Sequence, residues 1–310
     1  MSEQDEPTSP PEGDAGAGGG GPRPGDARGG GGAEPRTGDA EEVRGDRGVE
    51  EGRTLEVEVT VDAPPDEVWE ALTTAEGLRR WFPLDARVEP GQGGNVWVSW
   101  GPGSEGSAPI HIWDPPRRFG WTEFHGGDES GTPIQVAADF HLEARSGVTV
   151  VRVVQSGFGA SADWDEMYDA VQDGWRYFLF NLAFYFREHR GKDRAMVWRR
   201  FATDLPRDTV WERLVGGALV DRGSRHPGAV EPGDPLSIHL DEALSGTVVS
   251  ARPNHHLAAM LPDLAQSLLF VEIEGPHVGV WLSTYGLEAA RVRALQSALD
   301  DRLERAFGEH

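Results

Sequence analysis

The stretch Asp62-Ala63-Pro64-Pro65-Asp66-Glu67-Val68-Trp69-Glu70-Ala71-Leu72 decides the fold, because the chain carries it twice. Asp204-Leu205-Pro206-Arg207-Asp208-Thr209-Val210-Trp211-Glu212-Arg213-Leu214 matches it in register at seven of eleven positions. Each copy reads as a proline break followed by a short helix with acid in its first turn, where the helix dipole favours negative charge. A repeat at this spacing predicts two structural units, and a chain of 310 residues has room for both.

Upstream of the first copy, Thr54-Leu55-Glu56-Val57-Glu58-Val59-Thr60-Val61 alternates apolar and polar residues with the period of a half-buried strand. Before it, residues 1–52 are dominated by Gly, Pro, Ala, Asp and Glu, with glycine blocks at Gly18–Gly21 and Gly29–Gly32. Such a segment buries too little apolar area to offset backbone ordering at about 1–2 kcal/mol per residue, so it is expected to be a disordered acidic tail.

Downstream, a second short helical piece follows Gly77 and stops at Trp81-Phe82-Pro83. Strands are then predicted at Asn95–Trp100, Ala108–Trp113, Arg118–Phe124, Ile134–Leu142 and Val148–Gln155, with Gly and Pro between them at the spacing of an antiparallel meander. A long helix over about Asp163–His189 closes the unit. Met167, Val171, Trp175, Phe178, Leu182 and Tyr185 share one face of it. An aromatic stripe of this width left in water would aggregate, so the helix is expected to lie against the sheet. The second copy repeats the plan in a shorter form. Arg252–Leu257 stands where the first copy has Asp114–Phe119, Ala265–Ile273 and Val278–Ser283 repeat the last two strands, and a helix is predicted over Leu287–Phe307.

Composition narrows the function. The net charge of −23 argues against nucleic acid and against an anionic membrane surface, both of which need a basic patch. The absence of cysteine excludes disulfides, thiolate nucleophiles and cysteine metal sites. The start Met1-Ser2-Glu3-Gln4-Asp5-Glu6 has no basic and apolar signal segment, and no apolar run reaches membrane-spanning length, so a cytoplasmic location without membrane insertion is expected.

Ala63-Pro64-Pro65-Asp66-Glu67-Val68-Trp69, Trp81-Phe82-Pro83, Trp113-Asp114-Pro115-Pro116-Arg117-Arg118-Phe119 and Gly174-Trp175 together resemble the SRPBCC (START-like) superfamily. Within it they look most like the branch related to the activator of heat shock protein 90 ATPase. The resemblance covers residues 54–190 well and 196–308 weakly. It implies an α+β helix-grip fold, a curved antiparallel sheet around a long C-terminal helix, here in two tandem domains over 53–192 and 193–310, the second degenerate. It also implies non-enzymatic binding of a hydrophobic small molecule between sheet and helix, or a chaperone-accessory role with a protein partner. A polyketide cyclase-like enzyme and a pure protein–protein interaction module are the alternatives, since such a fold limits function loosely.

The candidate ligand-binding residues are Trp81, Trp97, Trp121, Phe140, Phe158, Trp175 and Phe178, which alternate inward on strands or lie on the helix face. The same rings also suit an ordinary core. No catalytic residue, metal ligand or cofactor is assigned. His111, His125 and His141, with Glu123 and Asp139, match no metal-ligand spacing and read as solvent-facing, as do His255 and His256 in a turn. A cyclase would instead place Glu123, Asp139 or His141 deep in the pocket with a displaced pKa.

Overall fold

The computed structural model describes residues 53–127, 133–159, 165–223 and 230–308. The tail 1–52, the start of the long helix at residues 163–164 and the side chains of His125 and Met167 lie outside the described residues. The first unit runs β1 (Arg53–Val61), α1 (Pro65–Thr73), α2 (Ala75–Arg79), β2 (Asp85–Glu89), β3 (Asn95–Ser99), β4 (Glu105–Asp114), β5 (Arg118–Gly127), β6 (Pro133–Arg145), β7 (Val148–Phe158) and α3 (Asp165–Phe184), which a π turn extends to His189. The second runs β8 (Arg194–Ala202), α4 (Arg207–Arg213), β9 (Val220–Asp221), β10 (Pro235–His239), β11 (Ala243–Arg252), β12 (His256–Leu261), β13 (Ser267–Glu274), β14 (His277–Tyr285) and α5 (Ala289–Phe307).

Each unit is one antiparallel seven-stranded sheet, and the two sheets share a strand order: β1-β7-β6-β5-β4-β3-β2 and β8-β14-β13-β12-β11-β10-β9. The repeat seen in the sequence is therefore a repeat of topology, two tandem helix-grip domains in an α+β chain. Registers agree as well. Asp114 pairs with Arg118 across the β4–β5 turn, and Arg252 pairs with His256 across the β11–β12 turn, as the alignment of the two segments requires. None of the described helices is long and apolar enough to cross a membrane.

The two sheets differ in how many faces they bury. On β1 the side chains alternate, with Glu56, Glu58 and Thr60 turned away from a core that holds Leu55 and Val61. Inside the first domain, Trp175, Leu179 and Leu182 of α3 pack on Trp121, Phe140 and Val153. Strands β12, β13 and β14 instead carry nearly unbroken apolar runs and are buried along almost their whole length. Such runs belong to strands covered on both sides. One cover is α5, through Leu295, Leu299 and Leu303 against Val197, Val280 and Leu282. The other is the first domain: Ala258, Phe270 and Trp281 form a second cluster with Tyr177 of α3, joined by Trp100, Phe178, Met196 and Trp198.

The helix α3 is thus packed on two sides. Its Tyr177 ring stacks on Phe270 at 3.9 Å and 10°. Beyond its end His189 stacks on Tyr285 at 4.0 Å and 11° and hydrogen-bonds the Gln266 carbonyl. Stacked pairs of this kind contribute about 0.5–1.5 kcal/mol beyond their buried area. Arg252 donates to Asp173 at 3.0 Å and to Asp169 at 3.2 Å, and the Tyr285 hydroxyl donates to the Arg80 carbonyl at 2.7 Å.

The β3–β4 turn is shaped for the same contact. Gly101 has φ +108°, and a Cβ there would meet Cη2 of Trp198 at 2.6 Å. Gly103 also has positive φ (+76°) but faces open space. Gly101→Ala is expected to cost about 1–3 kcal/mol from backbone strain, plus the displacement of Trp198. Urea unfolding of Gly101→Ala beside Gly103→Ala checks this, since both carry the backbone strain and only the former is expected to displace Trp198.

Candidate ligand-binding site between the third helix and the second sheet

A cavity of about 650 Å³ lies where α3, the inner face of the first sheet and the outer face of the second converge. Its apolar wall is a set of rings in mutual contact. Phe82 stacks on Trp175 at 5.7 Å and 15° and meets Phe178 edge-on at 4.8 Å. Trp100 stands between the domains, edge-on to Phe82 at 5.2 Å and to Trp281 at 6.1 Å. Tyr177, Phe270 and Met196 complete this side. The size and character are those of a small-molecule site.

Local structure explains each placement. The helix α2 spans Ala75–Arg79, so it begins before Gly77 and ends short of Pro83, and the turn that follows it buries Phe82. The helical spacing of α3 brings Gly174, Tyr177, Phe178 and Asn181 to one side. In β13 and β14 strand alternation sends Phe270 and Glu272, and Trp281 and Ser283, to the outer face, where Phe270 pairs directly with Trp281 and Glu272 with Gly279.

The polar lining is held in place. Trp175 Nε1 donates to the Gln155 side chain, and Trp121 Nε1 donates to Glu123 at 3.0 Å. Asn181 donates its amide to the Trp81 carbonyl, and Arg194 donates to the carbonyls of Phe82 and Pro83. Burial pulls Arg194 below the ordinary guanidinium value. His256 shares a hydrogen bond with Ser250 Oγ at 2.8 Å and stands 3.8 Å from Asp173. Burial lowers its pKa, against the opposing charge of Asp173. Glu272 accepts from Trp281 Nε1 at 2.9 Å, and burial pushes its carboxyl up to about 7, although the Trp281 hydrogen bond opposes the shift.

Of the residues singled out in the sequence, Trp175 and Phe178 line this cavity. Trp81, Trp121 and Phe140 are buried among the rings beneath it, Trp81 with its indole N–H on the Ala71 carbonyl at 3.0 Å. Phe158 packs edge-on against Tyr168 at 5.4 Å, and Trp97 lies under Arg87 at 4.3 Å on the short strand β3. Glu123 reaches the cavity lining; Asp139 and His141 do not. His111 and Asp139 do converge, at 2.7 Å, with Thr122 Oγ1 3.0 Å from the other ring nitrogen, and this cluster is part-exposed on the strands β4–β6. His255 and His256, expected to face solvent in a turn, also line the cavity, and His256 is buried. Among the described residues no group of three His, Asp or Glu side chains is placed to hold a metal ion.

Trp100, Tyr177, Arg194, Phe270, Glu272 and Trp281 escaped the sequence reading. The signal for three of them lies in Ser267–Tyr285: Leu268-Leu269-Phe270-Val271 does not alternate, which marks two-sided burial, and the acid Glu272 follows within the same strand.

Residues 62–187 match the family model described as "Activator of Hsp90 ATPase homolog 1-like protein", and the first helix-grip domain is a domain of this kind. No curated protein matches the sequence. Among solved structures, the Aha1 dimer from Colwellia psychrerythraea is 22% identical with TM-score 0.39, covering 45% of this chain and 99% of its own. DynU16, a protein of the dynemicin biosynthetic locus, is 19% identical with TM-score 0.37, over 82% of this chain and 96% of its own. The di-domain ARO/CYC BexL from the BE-7585A biosynthetic pathway is 16% identical with TM-score 0.38, over 83% and 96%. Likenesses this low bear on neither substrate nor reaction.

The Glu272 carboxyl has a thermodynamic consequence. Its folded value, about 7, lies above the ordinary 4.5, so the folded state holds the proton more tightly and the contribution to stability falls as pH rises through that window. Glu272→Gln is expected to be more stable than the parent by about 2–3 kcal/mol at pH 8 and within about 1 kcal/mol of it at pH 4. Urea unfolding at the two pH values checks the difference.

Proposed function

Because residues 62–187 form an activator-of-Hsp90-ATPase-like domain, we propose that the protein binds a hydrophobic small molecule without transforming it, and that the cavity between α3 and the second sheet is the binding site. The observation that carries this reading is the aromatic wall of Phe82, Trp100, Trp175, Phe178, Phe270 and Trp281 along a cavity of about 650 Å³. A ligand of drug size buries most of its surface in a space of this volume. In this reading Trp175 and Phe178 contact the ligand, while Trp81, Trp97, Trp121, Phe140 and Phe158 support the first sheet beneath it. The working unit is both domains, 53–192 and 193–310, with 1–52 as a tail. The acidic chain is read as a cytoplasmic carrier with no affinity for nucleic acid.

A cyclase-like reading draws on one observation, the raised pKa of a carboxyl facing an apolar cavity, since such groups recur at catalytic sites. The two readings separate by mass. Protein purified from its own host and sprayed under native conditions is expected to carry a bound molecule, released unchanged after incubation. A released molecule of altered mass decides for the enzyme.

Gly174 offers a way to close the site. A Cβ there meets only Phe178, at 3.8 Å, so larger side chains grow toward the cavity. Gly174→Ala is expected to raise stability by about 0.5–1 kcal/mol through helix propensity. Gly174→Phe is expected to weaken binding of an apolar fluorophore such as 1-anilinonaphthalene-8-sulfonate by tenfold or more, read by fluorescence titration beside the alanine variant.

A further inference from the structure

Directly opposed residues on neighbouring strands share a face, so the outer surface of the second sheet can be read in rows. One row is Ala258, Phe270, Trp281 and Trp198; the next is His256, Glu272, Gly279 and Arg200. Phe270 and Trp281 of the first row form the aromatic floor of the cavity. In the second, Gly279 leaves a gap, and the Trp281 indole leans through it to reach Glu272. A Cβ at Gly279 would stand 2.4 Å from Trp281 Nε1 and 2.7 Å from Glu272 Oε1, so the hydrogen bond that aims this carboxyl needs glycine there. One carboxylate oxygen is thereby fixed at the end of the aromatic floor. Among the described residues no Lys, Arg or His nitrogen comes within 4.0 Å of the Glu272 carboxyl.

Arg194, a buried cation in the lining of the same cavity, is held on the carbonyls of Phe82 and Pro83. Arg200 is in the same row two strands away, lines the same cavity, and its charge draws the Glu272 pKa down against the larger effect of burial. His256, its other neighbour, is engaged with Ser250. Arg252 is tied to Asp169 and Asp173 of α3, and Arg207 faces His255 at 3.5 Å. Glu274 adds negative charge on the same strand. The aimed carboxyl thus has no cation within 4.0 Å among the described residues, and the apolar rings of Trp281, Phe270 and Tyr177 line the cavity beside it.

We propose that the cavity takes an organic cation, an aromatic or aliphatic body bearing a protonated amine, with the ammonium against the Glu272 carboxylate and the body along Phe270, Trp281 and Trp100. This rests on the reading of the cavity as a small-molecule site and names the class of molecule it selects. The ammonium supplies the missing counter-charge, so binding draws the proton off Glu272, and affinity is expected to fall as pH drops through the titration of this carboxyl.

The test uses the full chain and three probes of one shape, 2-naphthylmethylamine, 2-naphthylmethanol and 2-naphthoate, titrated by calorimetry at pH 8.5 and pH 6. The amine is expected to bind at least tenfold more tightly than the alcohol at pH 8.5, with this ratio shrinking severalfold at pH 6. In Glu272→Gln the amine-to-alcohol ratio is expected to fall to about one at both pH values. Alcohol or naphthoate binding as tightly as the amine, or an amine preference that survives Glu272→Gln, overturns the proposal while leaving the cavity a binding site. If none of the three probes binds, both the small-molecule reading and this inference fall together.

Discussion

A sheet whose two faces are both apolar has to be covered twice, and in this chain the second cover is a helix already committed to another sheet. Strands β12–β14 present Val271, Val280 and Leu282 to α5 and Phe270 and Trp281 to α3. Water cannot be that second layer, because a surface bearing Phe270, Trp281, Trp198 and Met196 side by side would be a contiguous apolar patch. The docking of α3 between the sheets follows, and with it the position of the cavity. The ion pairs of Arg252 with Asp169 and Asp173 orient the contact more than they stabilise it, since part-exposed pairs contribute about 0–1 kcal/mol.

Much of the fold was legible because it depends on local periodicity. The duplicated Asp-x-Pro-x-Asp-x-Val-Trp-Glu-x-Leu segment, the alternating β1 and the amphipathic α3 and α5 each carry their signal within about ten to twenty residues. Shorter elements gave less. The strands β2, β9 and β10 are five residues or fewer and hold too little pattern to separate from a loop. The family resemblance reached the first domain because its turn and helix motifs are intact there, and the match over residues 62–187 falls on the same segment.

The site was less legible, for a reason that lies in distance along the chain. Reading α3 against its own sheet makes Trp175 and Phe178 the natural lining, and both do line the cavity. That reading cannot show that Tyr177, one position before Phe178, stacks on Phe270 of the other domain. Nor does any local pattern reveal that His256, apparently in a turn, sits on a covered sheet face beside Glu272. The outward side chains of one domain became functional candidates only when the other domain was laid over them. By contrast Trp81 and Phe140 are buried by their own domain's packing, and an aromatic stripe alone does not separate such support from a lining.

The stacking of His189 on Tyr285, just past the end of α3, joins the exit of one domain to the last strand of the other. Tyr285 in turn reaches back to the Arg80 carbonyl, one residue before Trp81-Phe82-Pro83. One tyrosine of the second domain therefore holds two separate points of the first, the end of its long helix and the turn after α2. Two halves fastened in this way inherit a shared fate: neither can drift in sequence at its facing surface without altering the other's wall, and the duplicated modules amount to a single heritable unit.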